Sequence, residues 1–424
     1  MSLRRHTIWN LIGNGLPLAV GIFFIPYTLR QLGYEAFGIL TLIWSLIGYF
    51  SLFDLGIGRA LTFEIAGLLK ADKKKEVPNA LLVGLALTML TGLLGGIGIY
   101  LLAPLLTSSW LNIVPEWQHD AQVAFQIAGL GIVLTTVTSG MRGTQEALGD
   151  FRSANLNKLA LGSAMFLMPA VSIWLHGPHL WWIATYLVMA RALVFLVNCI
   201  QLRHLLFTRP QLERSIVFFK TLISFGGWVS VSGIVGPLMI YGDRFFVSAM
   251  VGPALLPIYA IPQEALQRLL IFPNSFTNAL LPKIVGLNGG QLKERYTSSF
   301  RRTAWFMLLV CSLAVALAYP GLRIWISADF AQSAMPIVVI LSVGIWLNSI
   351  ASIPYTFIHS IGNAKITALI HMAELGIYFL LLYVLVKQFG LVGAALAWTI
   401  RVGIDLVLLQ IAVKKCFIEK EGMD

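Results

Sequence analysis

The chain has 424 residues, of which 58% are hydrophobic and only 12% are charged, and its mean hydropathy is +0.80. A soluble protein cannot bury so much apolar surface, and the composition also excludes a disordered chain and a secreted disulfide scaffold. We therefore expect an integral membrane protein with many spans. Its net charge of +11 is explained by the basic loops that orient such proteins, so nucleic acid is not an expected partner.

Apolar segments of about 20 residues, long enough to cross a bilayer, recur along the whole chain. The pattern predicts twelve transmembrane helices and hence an all-α polytopic membrane protein. The predicted spans are residues 7–29, 36–54, 78–102, 119–141, 158–177, 180–202, 221–242, 255–281, 302–322, 335–357, 366–387 and 391–413.

Lysine and arginine are distributed unevenly over the loops between these spans. Most of the 30 lie in loops on one side, whereas only Arg30, Arg244, Arg323 and Lys387 lie on the other. Cytoplasmic loops carry the excess of positive charge in membrane proteins. The pattern predicts that both termini are cytoplasmic.

Short matches between the two halves of the chain predict an internal repeat. The matching stretches are 32–36 with 251–255, 148–152 with 361–365, and 190–192 with 400–402. Because each repeat has an even number of spans, we expect two six-helix lobes related by a pseudo-two-fold axis along the membrane normal, with a cavity between them. The predicted domains are an N-terminal lobe over 1–202, a cytoplasmic linker over 203–220, a C-terminal lobe over 221–413 and a cytoplasmic tail over 414–424.

Charged residues within predicted spans are the candidates for function, because a charge at the bilayer centre costs about 2.5–3.5 kcal/mol. The four-residue spacing places Glu264 with Arg268, and Arg401 with Asp405, on one helix face. Such pairs either hold helices together or line a polar lumen, and the sequence leaves both interpretations open.

A lumen that meets an anionic substrate would use arginine, whose guanidinium group holds phosphate through two hydrogen bonds. Four arginines near glycine- and proline-rich spans are the predicted substrate-binding residues: Arg30, Arg59, Arg244 and Arg268. The other lumen or charge-pair candidates are Asp54, Arg191, Asp243, Glu264, Glu374, Arg401 and Asp405.

Motifs for catalysis and for cofactors are missing from the sequence. No Walker-type phosphate loop, HExxH or GxSxG occurs, and Cys199, Cys311 and Cys416 form no CxxC pair or Cys/His cluster. We therefore expect a protein that is not an enzyme and that has no catalytic residue, no cofactor and no metal site.

Several motifs, in the right order, resemble the polysaccharide-transporter (O-antigen flippase) family of the multidrug/oligosaccharidyl-lipid/polysaccharide exporter superfamily. The matching residues are Asn10 to Pro26, Gly33 to Gly38, Asp54-Leu55-Gly56-Ile57-Gly58 followed by Arg59-Ala60-Leu61, then Asp243, Gly252, Tyr259, Gly362 and Lys365. The resemblance extends over nearly the whole chain.

The resemblance implies a flippase that carries an undecaprenyl-pyrophosphate-linked oligosaccharide across the bacterial inner membrane by alternating access. Its implied partners are membrane lipids, a proton or sodium counter-ion, a polysaccharide polymerase and a chain-length regulator. The main alternative is a multidrug/cation antiporter of the same superfamily. That alternative is disfavoured because the predicted spans of the N-terminal lobe carry acidic residues only at their ends, Asp54 among them. A membrane enzyme and a passive channel are weaker alternatives.

Overall fold

The computed structural model describes residues 3–49, 56–208, 212–284, 287, 289–361 and 363–421. These residues form helices joined by short turns, and no strand occurs among them. The principal helices are α1 (Leu3–Trp44), α2 (Ile57–Lys70), α3 (Val77–Leu105), α4 (Pro115–Ala147), α5 (Phe151–His176), α6 (Leu180–Gln201), α7 (Leu212–Val251), α8 (Leu256–Gln267), α9 (Ile271–Ile284), α10 (Gly289–Trp325), α11 (Ala328–Ser360) and α12 (Ala364–Glu421).

The chain divides into two compact units, Met1–Ala254 and Leu255–Asp424. The first unit contains α1 to α7 and the second contains α8 to α12. The two symmetric six-helix lobes and their limits at residues 202 and 221 stay a prediction.

Eight helical stretches of the described residues are long and apolar enough to cross a membrane. Two of them each contain most of two predicted spans: Leu16–Ile47 and Lys365–Phe417. The predicted span 255–281 corresponds to α8 and α9, which are joined by a single 3-10 helical turn at Arg268–Leu270. An all-helical, multi-pass chain is confirmed, whereas the number of twelve spans stays a prediction.

Single glycines interrupt the two longest helical stretches. Gly33 has φ 72° and ψ 174°, and Gly390 has φ 57° and ψ −134°. Positive φ costs glycine little because it has no Cβ. After Gly390 the chain folds back, since a Cβ on Gly393 would lie 1.9 Å from the carbonyl oxygen of Leu385. Eight residues of straight helix would separate these positions by about 12 Å. α12 is therefore a helical hairpin with arms 364–389 and 391–421.

In the first unit, glycines bring α3 and α4 into backbone contact. A Cβ on Gly129 would lie 2.7 Å from the carbonyl oxygen of Gly96, and a Cβ on Gly92 would lie 2.2 Å from Oγ1 of Thr136. Apolar side chains gain little from each other in lipid, so close packing of small residues is a principal attraction between membrane helices.

In the second unit, aromatic rings connect α10, α11 and α12. The ring of Tyr296 packs edge-on against Phe357 and Phe417, with centroids 5.3 and 5.6 Å away. The indole of Trp346 donates to the carbonyl oxygen of Ala304 at 2.9 Å. Two of these contacts join α10 to α11, and the contact of Tyr296 with Phe417 holds the second arm of the α12 hairpin against α10.

Asp120 of α4 caps the first turn of α6. Its carboxylate accepts hydrogen bonds from the backbone N–H groups of Leu180, at 2.7 Å, and Trp181, at 3.3 Å. A carboxylate at a helix N-terminus satisfies unpaired N–H groups and interacts favourably with the helix dipole.

Asp120→Ala is therefore expected to lower the free energy of unfolding by about 1 kcal/mol. Asp120→Asn keeps one acceptor oxygen and should lose less than the alanine variant. Thermal melting of the purified protein in detergent measures both variants. Equal melting temperatures for wild type and the alanine variant would contradict the capping role.

Candidate functional site

The second unit buries a charge cluster made of His371, Glu374, Arg401 and Asp405. The guanidinium of Arg401 donates to one oxygen of Glu374, Oε2, from Nε at 3.1 Å and from Nη2 at 3.0 Å. Nε2 of His371 lies 3.5 Å from Oδ1 of Asp405. The Glu374 side chain is 0% exposed and that of Asp405 is 8% exposed.

The charge cluster forms because the α12 hairpin brings its two arms together. His371 and Glu374 lie three residues apart on the arm before Gly390, and Arg401 and Asp405 lie four residues apart on the arm after it. Residues at these spacings share a helix face. Both contacts, Arg401 with Glu374 and His371 with Asp405, cross from one arm to the other.

The structure corrects the pairing that the sequence predicts. The spacing favours Asp405 as the partner of Arg401, but the direct partner of Arg401 is Glu374. Asp405 joins the same charge cluster through His371. His371 was not among the predicted site residues, although its three-residue spacing from Glu374 could have indicated it.

The charge cluster has the chemistry of a cation-binding site. It contains two carboxylates and one guanidinium, and Oε1 of Glu374 and Oδ1 of Asp405 accept no hydrogen bond from an N–H or hydroxyl donor among the described residues. One ligand atom each from His371, Glu374 and Asp405 lie within 4.8 Å of one another. Buried carboxylates need compensating positive charge, and Arg401 supplies only one. A proton or a metal cation would balance the second carboxylate.

Arg191 on α6 is a second buried charge, in the first unit. Its side chain is buried, and its Nη1 donates to the carbonyl oxygen of Leu187 at 3.0 Å. Within the described part of the chain, no carboxylate lies within ion-pair distance of Arg191.

The four predicted substrate arginines differ in environment. Arg30 and Arg59 are exposed. Arg244 is buried, with its guanidinium carbon 5.2 Å from the ring centroid of Tyr241. Arg268 forms a short ion pair with Glu264 and is 41% exposed.

Arg30, Arg59 and Arg244 belong to the first unit and Arg268 to the second, so their common role stays a prediction. Asp243 is fully buried beside Arg244. Asp54 lies outside the described residues.

Four amide side chains form a network that is buried or half-buried between α4, α5 and α6. The sequence did not predict this network. Gln145 donates to Asn198 at 3.0 Å and to Gln201 at 2.7 Å. Asn157 donates to the same two acceptors, each at 3.0 Å. Because amides carry both donors and acceptors, the network pairs most of these polar groups without any charge, although Oε1 of Gln145 accepts no hydrogen bond from the described residues.

In the first unit, the turn that follows α3 and the turn that follows α7 lie close together and both contact α1. We call this group of contacts the turn cluster. Asn112 donates to the carbonyl oxygen of Ala249 at 2.6 Å, and Glu35 accepts from the N–H of Val114 at 3.2 Å. A Cβ on Gly38 would lie only 1.8 Å from the carbonyl oxygen of Pro253. The stretches 32–36 and 251–255, which match each other in sequence, both contribute to this cluster.

Comparison with known proteins gives consistent results over the full chain. Residues 3–287 match the family described as "Polysaccharide biosynthesis protein". The chain is 30% identical to a "Putative O-antigen transporter" of Shigella flexneri, with 97% of each chain covered. It is 22% identical to the "Uncharacterized membrane protein EpsK" of Bacillus subtilis (strain 168), covering 92% of this chain and 79% of that protein.

Solved structures of multidrug transporters share the fold. The inward-facing conformation of a multidrug resistance MATE family transporter of the MOP superfamily superposes with a TM-score of 0.76 at 15% identity, covering 100% of this chain and 96% of that one. An outward-facing conformation gives 0.59 at 14% identity, covering 99% and 93%. At these identities the likeness shows the fold alone.

Proposed function

Because this chain belongs to the polysaccharide biosynthesis protein family, we propose that it is a flippase for an undecaprenyl-pyrophosphate-linked oligosaccharide, an O-antigen or exopolysaccharide repeat unit. The likeness to the Shigella flexneri protein, which extends over 97% of both chains, is the observation that carries this proposal. The substrate moves from the inner to the outer leaflet of the bacterial inner membrane. A polymerase and a chain-length regulator then act on the delivered unit.

The physical problem that the flippase solves is the polarity of the glycan. Each hydroxyl that enters hydrocarbon without a hydrogen-bond partner costs several kcal/mol. A lumen that opens alternately to each side supplies a wet path for the sugar while the polyprenyl tail stays in lipid. No covalent bond is made or broken, so the mechanism is transport rather than catalysis.

Arginines hold the pyrophosphate during this passage, and Arg30, Arg59, Arg244 and Arg268 are the residues we assign to it. Guanidinium groups stay charged and bind phosphate oxygens through paired hydrogen bonds. The charge cluster of the second unit binds the counter-ion, a proton or sodium, that drives the cycle. Two buried carboxylates beside a single guanidinium support this assignment.

The test is complementation of a bacterial strain that lacks the flippase for its own surface glycan. Wild type should restore the glycan, whereas Arg30→Glu and Arg268→Glu should reduce it strongly at equal membrane abundance, because each change reverses a charge that faces the substrate. Arg30→Lys and Arg268→Lys should reduce it mildly. Arg323→Glu, at an exposed arginine outside the assigned set, is the matched control and should restore the glycan fully.

Full restoration by both glutamate variants would remove Arg30 and Arg268 from the substrate path. Failure of the wild-type protein in a strain supplied with the matching glycan pathway would contradict the flippase function itself.

A multidrug/cation antiporter is the second candidate, because the solved multidrug transporters share this fold and the charge cluster contains two buried carboxylates. Drug-sensitive cells separate the two functions. An antiporter would raise the inhibitory concentrations of cationic drugs without restoring any glycan, and the flippase would do the reverse.

A further inference from the structure

A groove between α9 and α10 lies within the second unit and has two chemically different ends. Three adjoining cavities, of about 350, 260 and 330 Å³, form it. The first two share Lys283, Arg295 and Arg302, and the last two share Phe276 and Arg302. The groove is therefore continuous from a basic end to an apolar end.

The basic end has more positive than negative charge. Lys283, Arg295 and Arg302 line it together with one carboxylate, Glu294. None of these three cations forms an ion pair with a carboxylate in the described part of the chain. The half-buried Ser298 adds a hydroxyl donor between them.

The apolar end is aromatic. Phe272, Phe276, Phe306 and Met307 line it, and Phe272 contacts Phe306 edge-on across the groove with centroids 5.7 Å apart. On α9, eleven residues separate Phe272 from Lys283, a distance of about 16 Å along a helix. Phe276 and Phe306 are 38% and 50% exposed, so this end offers apolar surface to an elongated chain.

We propose that the α9–α10 groove captures the lipid-linked substrate before transport, with the pyrophosphate at the basic end and the start of the polyprenyl tail along the aromatic end. This proposal rests on the flippase function proposed above. A pyrophosphate diester carries one negative charge on each phosphorus, which matches the two positive charges that remain at the basic end after Glu294 is counted. The basic end lies next to the α9–α10 loop, on the side that the charge pattern predicts to be cytoplasmic.

The charge balance favours this occupant over an ordinary phospholipid. A phosphatidylglycerol headgroup carries a single negative charge and leaves one cation of the groove uncompensated. Two arginine forks suit two adjacent phosphate groups, because each fork can hold two oxygens.

The proposal is tested by binding of undecaprenyl pyrophosphate that carries a single sugar, a diester with the same two charges as the proposed substrate, to the purified full-length protein in nanodiscs of neutral lipid. Arg295→Gln/Arg302→Gln should weaken binding by about tenfold or more, since two charge-assisted contacts are lost. Arg301→Gln is the matched control because Arg301 is an exposed arginine beside Arg302 that does not line the groove, and its affinity should stay within about twofold of wild type.

Two further measurements separate the groove from general surface charge. Phe276→Ser should weaken binding of undecaprenyl pyrophosphate but leave binding of inorganic pyrophosphate unchanged, because only the lipid reaches the aromatic end. Phosphatidylglycerol at equal concentration should compete poorly with undecaprenyl pyrophosphate.

The proposal is overturned if Arg301→Gln weakens binding as much as the double variant, if phosphatidylglycerol competes equally, or if wild type does not bind undecaprenyl pyrophosphate. Glycan complementation distinguishes failure of this proposal from failure of the proposed function. If wild type and the Arg295→Gln/Arg302→Gln variant restore the glycan equally, the groove is not a capture site, but the flippase function stands.

Discussion

Arg401→Leu is expected to destabilise the second unit by about 3–5 kcal/mol, which is the cost of removing one partner of a buried ion pair. The reason is Glu374, whose side chain is 0% exposed and whose Oε2 accepts both hydrogen bonds from Arg401. Without the guanidinium, its carboxylate would be a buried group that has lost its ion-pair partner and both of these hydrogen bonds. Far less folded protein should be extracted from the membrane.

Arg401→Leu/Glu374→Leu removes both charges and should recover most of the lost stability, because replacing a buried pair by apolar side chains is often neutral. Arg142→Leu is the matched control. Arg142 lies 3.6 Å from Glu146 in an exposed pair, for which a change of about 0–1 kcal/mol is expected. The measurement is the fraction of monodisperse protein that survives heating in detergent. Equal survival of wild type and Arg401→Leu would mean that the charge cluster is solvated.

Gly38→Ala is expected to be the most damaging single-methyl change in the first unit. The added Cβ would lie 1.8 Å from the carbonyl oxygen of Pro253, and a backbone oxygen cannot rotate away as a side chain can. Overpacking of this kind costs about 1–3 kcal/mol and occasionally more. The turn cluster that includes Asn112 and Glu35 should loosen as a result.

Gly67→Ala is the control for this substitution. Gly67 is an exposed helical residue of α2 with no atom near the position of an added Cβ. Alanine should stabilise that helix by about 0.5–1 kcal/mol. Thermal melting of both variants gives the comparison, and a Gly38→Ala protein that melts like wild type would show that the turn cluster adapts easily.

The sequence predicted the helical, membrane-spanning character of the chain because length and hydropathy alone determine it. It also identified Glu374, Arg401 and Asp405 as candidates, because a charge in an apolar stretch is conspicuous. It did not predict that Arg401 pairs with Glu374, since that contact depends on the register in which the α12 hairpin closes at Gly390. If the turn were one residue longer or shorter, the two arms of α12 would pack against each other through different helix faces.

The amide network was missed for a different reason. Gln145, Asn157, Asn198 and Gln201 are uncharged, and their positions in three different helices give no pattern along the chain. The α9–α10 groove has no distinctive pattern in the sequence either, because its cations Lys283, Arg295 and Arg302 fit the general excess of positive charge in the loops on one side. Charge that orients a membrane protein and charge that binds a ligand look the same in a sequence.

The tight hairpin at Gly390 restricts the methods that can determine which side of the membrane each turn of this protein occupies. The hairpin turn cannot accommodate an inserted reporter domain or epitope, because Gly393 already packs against the backbone of Leu385. Cysteine labelling avoids that problem, and the chain suits it: Cys311 and Cys416 are buried, which leaves only Cys199 to be replaced for a low background. Single cysteines placed at exposed turn positions such as 73 and 178 would then report which side of the membrane each turn occupies.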